Sequence, residues 1–249
     1  MNPTQQFEQA KKARIHALGQ DTAFAKRSRQ WLEESMRKGY VYNFSWLGRP
    51  IIQTPNDIVA MQEVIWKVQP DLIIETGIAH GGSLILSASM LVLNEACGGP
   101  AGARVLGVDI DIRQHNREAI EAHPLSSRID MIQGSSVLPA VVAQVAAKAV
   151  GKKKIMVCLD SNHTHEHVLK ELNAYAAMVS VGSYCIVFDT FVEDMPEDVF
   201  PDRPWTPGNN PKTAVWAYLD KHPEFQIDHE IDNKLLISVA PDGYLKRVR

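Results

Sequence analysis

Residues 70–83 read PDLIIETGIAHGGS. The apolar run Leu72-Ile73-Ile74 has no polar alternation, which is the pattern of a short strand covered on both faces, as in a parallel sheet. The run ends at Glu75-Thr76-Gly77, and Gly81-Gly82-Ser83 opens a helical stretch that continues to about Asn94. The same unit recurs towards the C-terminus. RVLGVDI (104–110) precedes a helix over 113–123, IDMIQG (129–134) precedes one over 135–150, and KIMVCLD (154–160) precedes one over 163–179; SYCIVFD (183–189) is a fifth strand. Strands alternating with helices predict parallel βαβ units wound into a doubly covered sheet. After a helix at about 212–221, FQIDHEI (225–231) and KLLISVA (234–240) are joined only by Asp232 and Asn233, which predicts a terminal antiparallel hairpin. The fold class is therefore α/β, a Rossmann-like sheet of parallel strands with a C-terminal antiparallel hairpin, preceded by N-terminal helices.

Upstream, residues 3–38 predict one or two amphipathic helices ending at Gly39, with Phe24, Trp31, Leu32, Ser35 and Met36 on one face. An irregular aromatic stretch containing Tyr40, Tyr42, Phe44 and Trp46 follows, and Asn56 is expected to cap a helix running to Val68. This divides the chain into an N-terminal cap segment, 1–55, and a sheet domain, 56–249. The aromatic stretch must bury its apolar surface over the crevice of its own chain or against a neighbour, so a homo-oligomer is expected. A net charge of -3 argues against nucleic-acid binding. Three cysteines without CxxC spacing, no signal-peptide h-region and no apolar run of membrane-spanning length together predict a soluble, cytoplasmic protein.

The loop after the first strand is not GxGxxG, the pattern that seats a pyrophosphate on a helix N-terminus. Its opening Glu75 would repel a pyrophosphate but suits the amine of S-adenosylmethionine, while Gly77, His80, Gly81 and Ser83 border the same turn. Asp109, at the end of the second strand, is placed to accept both ribose hydroxyls; Asp111 competes for that role or caps the next helix. Ser135 and Ser136 either border the adenine or cap the helix that follows. Asp160 and Asp189 end the fourth and fifth strands. Facing each other without a cation they would repel, so a divalent metal, Mg²⁺ by ligand chemistry, is expected between them. His163, three residues after Asp160, is the candidate general base. His163 and His167 are also spaced as a transition-metal pair, and with Asp160 they would make a non-haem iron hydroxylase triad. His165 is expected to be exposed. The loop from Phe191 to Lys212 carries five prolines and Trp205 and is a candidate lid. Its acidic residues Glu193, Asp194, Glu197, Asp198 and Asp202 are expected to form a solvated face.

WLGRPIIQTPNDI (46–58), PDLIIETGIAHGGS (70–83), LDSNHTHEHV (159–168) and DNKLLISVAPDGYLKR (232–247) together resemble the cephalosporin hydroxylase-like family, which folds as Class I S-adenosylmethionine-dependent methyltransferases. The resemblance implies a cofactor site built from Glu75, Gly77, Ser83 and Asp109, often with Mg²⁺. Over the sheet alone the chain is also similar to metal-dependent catechol O-methyltransferases. There Asp160 and Asp189 match metal ligands, Thr190 stands where a third ligand, Asn, would be, and His163 occupies the position of the basic Lys. The expected function is O-methyl transfer to a hydroxyl of a sugar, glycoconjugate or secondary metabolite. Iron-dependent hydroxylation and a non-catalytic cofactor-binding subunit are the alternatives.

Overall fold

A computed structural model describes residues 2–249. Two helices, α1 (Pro3–Gln20) and α2 (Thr22–Arg37), lead into a small antiparallel ribbon, β1 (Phe44–Trp46) and β2 (Arg49–Ile51), and then α3 (Pro55–Val68). The sheet domain follows as β3 (Leu72–Thr76), α4 (Gly82–Ala96), β4 (Arg104–Asp109), α5 (Gln114–Glu121), β5 (Ile129–Gln133), α6 (Pro139–Ala149), β6 (Ile155–Leu159), α7 (His165–Tyr175) and β7 (Tyr184–Val187). It closes with α8 (Pro211–Leu219), β8 (Phe225–Ile227), α9 (His229–Leu235) and β9 (Tyr244–Arg247). The strand order is β5-β4-β3-β6-β7-β9-β8. The strands from β5 to β7 are parallel, and β9 runs antiparallel to both β7 and β8. This is the expected α/β architecture, with the order reversing between β3 and β6.

Every residue of β3 and of β6 is buried, which explains why these strands show no alternation. Alternate residues feed two cores. Ile73, Met156 and Cys158 pack with α3 and α4 on one face; Leu72, Ile74 and Val157 pack with α6, α7 and α8 on the other. Cys158 and Cys185 are plain core residues. Helix α4, enclosed by sheet and neighbours, buries ten of its residues and is apolar nearly all round. No described helix is long and apolar enough to cross a membrane.

Two local expectations need correction. The terminal strands pair antiparallel, but not as a two-residue hairpin. Asp232 and Asn233 lie inside α9, and the last strand is Tyr244–Arg247 rather than KLLISVA. Ile231 and Leu235 recur at helical spacing and turn inward, while Ser238 to Ala240 is buried as irregular chain against α3. Helix α3 is capped by Thr54, whose hydroxyl accepts from the Asp57 N–H, with Pro55 in the first turn; Asn56 is already inside the helix. The N-terminal segment packs on its own chain. Leu32, Val41 and Ile51 join the sheet's core, Trp31, Tyr40 and Phe44 form an edge-to-face chain, and the Trp46 indole donates to the Ser89 hydroxyl at 3.0 Å. Phe24, Trp31 and Tyr42 keep 39%, 43% and 66% of their surface.

Candidate active site

A cavity of about 520 Å³ opens over the C-terminal ends of β3, β4, β6 and β7, where ligands bind in doubly wound sheets. The β3–α4 loop forms one wall. Gly77 sits at φ 89°, and a Cβ there would lie 2.1 Å from the Asp160 carbonyl oxygen, so only glycine lets the ends of β3 and β6 meet. Asp109 organises this loop. One carboxylate oxygen accepts from the Ile78 N–H at 2.7 Å and the other from the Asp111 N–H at 2.9 Å. Asp109 lines the cavity; Asp111 is exposed outside it and caps no helix. Glu75 is buried beneath the loop and accepts from the Ser83 hydroxyl. Burial pushes its carboxyl up to about 7, against the lesser opposing effect of that hydrogen bond. His80 and Ser83 line the cavity. Gly81 is the left-handed residue before α4, with Ile120 filling the space where its Cβ would stand. Ser136 is buried and turned towards Ser161 and His167, off the cavity wall, and neither it nor Ser135 caps α6, which Leu138 precedes.

Asp160, His163 and Asp189 converge at the centre, with one potential ligand atom from each within 4.8 Å of the others. The His163 Nε2 lies 3.0 Å from an Asp189 carboxylate oxygen. Burial first, then the charges of Asp189, Glu75 and Glu171, hold the Asp160 carboxyl well above the usual carboxylate range. Asp189 itself sits at φ 56°, in the left-handed region that a non-glycine residue occupies at a cost of about 1–3 kcal/mol. Thr190 does not join the cluster. It is fully buried, and its hydroxyl donates to the Pro241 carbonyl at 2.6 Å, because the chain turns at Asp189 and carries Thr190 into the core. His163 occupies the third position instead.

The iron triad is not assembled. Helix α7 begins at His165, so His163 lies outside it and shares no helical face with His167. The His167 Nε2 is 3.2 Å from the Ser136 hydroxyl and 3.1 Å from that of Ser161, behind the cavity. His165 is not free: its backbone N–H donates to Asn209, and its Nδ1 lies 2.8 Å from the Thr213 hydroxyl, tying α7 to α8.

The proline-rich loop covers the crevice. Phe200, Pro201, Arg203 and Trp205 line it; Trp205 stands edge-on to the His163 ring at 4.6 Å, and the Arg203 guanidinium lies 5.3 Å from the Trp205 ring centre. Its acids are not simply solvated. Asp198 pairs with Arg37 at 2.8 Å, Asp194 with the buried Lys212 at 2.5 Å, and Glu193 accepts from the Gly208 N–H at 2.8 Å. Glu197 and Asp202 alone remain exposed without such bonds.

Three contributors were not anticipated. Arg49 donates to the His80 carbonyl at 2.9 Å and to Asn116 at 3.0 Å, and Asn116 donates to the Ala79 carbonyl at 2.9 Å, so the pair clamps the cofactor-type loop from behind. Gln53, 3% exposed, lies on the cavity wall. Arg49 and Gln53 fall within the motif at 46–58, which was the available signal; Asn116 had none. The site thus offers two carboxylates and an imidazole at one point, a carboxylate and glycine loop on one side and an aromatic cover on the other. It can hold a hard cation, take a proton and enclose a ligand of nucleoside size.

Residues 38–248 match the family described as Rhamnosyl O-methyltransferase/CmcI. The chain is 31% identical over 224 residues to a rhamnosyl O-methyltransferase of Mycobacterium tuberculosis, spanning 86% of this chain and 84% of that one. It is 28% identical over 223 residues to the Mycobacterium leprae enzyme of the same name, spanning 87% and 90%. Among solved structures, CmcI with Mg and S-adenosylmethionine superposes with a TM-score of 0.56 at 18% identity, covering 84% of this chain and 78% of the other. An O-methyltransferase from Bacillus cereus in complex with S-adenosylhomocysteine gives 0.51 at 13%, covering 80% and 81%. These structures share the fold.

Proposed function

The chain belongs to the rhamnosyl O-methyltransferase/CmcI family, and from that premise we propose that it transfers the methyl group of S-adenosylmethionine to a hydroxyl of a sugar residue. The convergence of Asp160, His163 and Asp189 beside the Gly77–Asp109 wall of one cavity, with Glu75 buried beneath it, carries this reading. The residues present fit the cofactor. Gly77 lets the loop backbone lie against the end of β6 on the cavity wall, Glu75 beneath it is an acceptor for an ammonium, and the Asp109 oxygens keep lone pairs for ribose hydroxyls while anchored by backbone N–H groups. His80 and Ser83 complete that wall, Gly81 shapes the turn behind it, and Asp160 stands at its inner end. The donor set also fits Mg²⁺, which prefers carboxylate and water oxygens to imidazole, so Asp160 and Asp189 are its ligands and Thr190 is not.

Bound there, Mg²⁺ would polarise the acceptor hydroxyl, and S-adenosylmethionine would supply the methyl group. The remaining work falls to the chain. His163 keeps its Nε2 on Asp189 and takes the hydroxyl proton at Nδ1, and the Asp189 carboxylate stabilises the resulting imidazolium. Trp205 packs on His163 and offers its ring to the sugar, and the lid excludes water around the reacting groups. The alignment of hydroxyl and methyl donor comes from holding both against one rigid sheet end. We also propose that the protein is a homo-oligomer, which would cover Phe24, Trp31 and Tyr42. A light-scattering mass of a single chain would refute that.

The test is calorimetry followed by turnover. Micromolar binding of S-adenosylhomocysteine, weakened about tenfold or more in Asp109→Ala, is expected, as two charge-assisted hydrogen bonds to ribose are lost. Methyl transfer to a rhamnosyl acceptor should require Mg²⁺ and stop with EDTA. Cofactor binding without transfer to any sugar acceptor would refute the enzymatic reading.

A further inference from the structure

Gln53 has no part in the chemistry above, yet its surroundings single it out. Its Oε1 is buried and accepts no hydrogen bond. Other buried side-chain oxygens share that condition, Gln69, Ser87, Glu171, Ser183 and Asp232 among the described residues, but of these six Gln53 is the one on the wall of the crevice. A buried acceptor left without a donor costs about 1–3 kcal/mol, and native interiors rarely leave one. On a cavity wall, the missing N–H or O–H is supplied by what the cavity binds.

The position of the segment narrows the donor. Pro50 and Ile51, just before Gln53, are pressed onto the start of α4: a Cβ on Gly82 would lie 2.2 Å from the Pro50 carbonyl oxygen and 2.7 Å from the Ile51 Cβ. The next residue, Ser83, holds Glu75. On the other side, Thr54 bonds to Asp57, which accepts from the Val239 N–H at 2.9 Å, and Val239 also lines the crevice. Gln53 is therefore fixed on the Ser83 side of the crevice, beneath which Glu75 is buried, whereas Asp109 marks the ribose side. Of the groups on S-adenosylmethionine, the α-ammonium carries the most N–H donors, three, and because they diverge from one nitrogen a single carboxylate such as Glu75 cannot meet them all.

Resting on the proposed cofactor reading, we infer that Gln53 accepts a hydrogen bond from the α-ammonium of S-adenosylmethionine and makes the site selective for ligands with an intact amino-acid end. A hydroxyl of the sugar acceptor offers the same kind of donor, and the experiment separates the two. Calorimetry compares S-adenosylhomocysteine with 5′-methylthioadenosine, which keeps the adenosine thioether and lacks the amino acid, on wild-type protein, Gln53→Leu and the nearly isosteric Gln53→Met. Acceptor KM is measured in parallel. A hydrogen bond to a charged group predicts about a tenfold loss of S-adenosylhomocysteine affinity in both variants, with 5′-methylthioadenosine affinity and acceptor KM unchanged. Gln53→Met carries the test should Gln53→Leu melt at a lower temperature. Unchanged S-adenosylhomocysteine affinity overturns the inference, and if acceptor KM then rises, Gln53 belongs to the acceptor. An equal loss for both nucleosides also overturns it, as general distortion. Wild-type protein that binds neither nucleoside refutes the cofactor reading itself, and the inference falls with it.

Discussion

Among the described residues there are two clusters of one histidine and two aspartates at cation-binding spacing. One is Asp160, His163 and Asp189; the other is His229, Asp232 and Asp242. Their compositions are identical and their settings are not. The first stands at adjoining strand ends, faces a cavity, and has no lysine or arginine paired with its carboxylates. The second straddles α9 and the turn before β9. There His229 is 67% exposed, and the Lys212 Nζ, shared with Asp194, approaches Asp242 to 3.8 Å. The Asp242 N–H also donates to Asp232 at 3.2 Å. In the second cluster the protein supplies a lysine and a backbone donor; in the first, beyond the His163–Asp189 contact, the negative charge is left for something else to neutralise. Ligand-type residues make a site only where the fold withholds their partners.

The sharpest way to break this contrast is substitution of the carboxylates. Asp160→Asn should lower methyl transfer about a thousandfold, which corresponds to roughly 4 kcal/mol of transition-state stabilisation, while Asp242→Asn stays within about threefold of wild type. Comparable losses in both would erase the distinction. The histidines come next. His163→Ala removes the base and should cost about a hundredfold in kcat at unchanged Mg²⁺ affinity, whereas His229→Ala should leave kcat alone. A His163 variant that loses Mg²⁺ binding instead would make this residue a ligand.

A smaller effect is read without turnover. Mg²⁺ at about a hundred times its Kd adds about 2.7 kcal/mol of stability, and for a chain of this size that raises Tm by several degrees. Asp189→Asn should abolish the rise, and His229→Ala should keep it.

The smallest effect is in the pH dependence of stability. Burial and then Asp242 push the Asp232 carboxyl up to about 7. A raised carboxyl favours the folded state most fully below the ordinary carboxylate range, and that contribution is lost as pH rises through about 7. The Tm of wild type should therefore fall between about pH 4 and 7 relative to Asp232→Asn. Glu75, also near 7, gives the opposite sign for ligand binding. An ammonium favours its carboxylate, so S-adenosylhomocysteine affinity should rise as pH increases through about 7, and Glu75→Gln should flatten that rise. Titration calorimetry across pH 6 to 8 checks it.

The contrast also explains what the sequence made legible. The parallel strands were readable because burial on both faces leaves an unbroken apolar signature, and strand ends fix where a carboxylate can stand. Asp109, Asp160 and Asp189 were accordingly placed by topology alone. Thr190 was misassigned because its direction depends on a left-handed turn at Asp189, which adjacent residue types do not reveal. The His163–His167 spacing suggested a shared face only under the assumption that the helix had already begun. The terminal segment misled for a related reason: KLLISVA has strand-like composition, but Leu235 ends α9 and Val239 and Ala240 are buried as irregular chain without entering a ladder. Asn116 was out of reach, since its role depends on a carbonyl 37 residues earlier in the chain.

The contact between Gly77 and the Asp160 carbonyl joins the two halves of the crevice mechanically. The Asp109-anchored loop and the Asp160 strand end cannot shift independently, so under the proposed function the nucleoside and the cation would share one joint. By thermodynamic reciprocity, whatever factor Mg²⁺ adds to nucleoside affinity, the nucleoside must add to Mg²⁺ affinity. A side chain at position 77 would part the ends of β3 and β6, so a single substitution there is expected to disturb both sides of the crevice together.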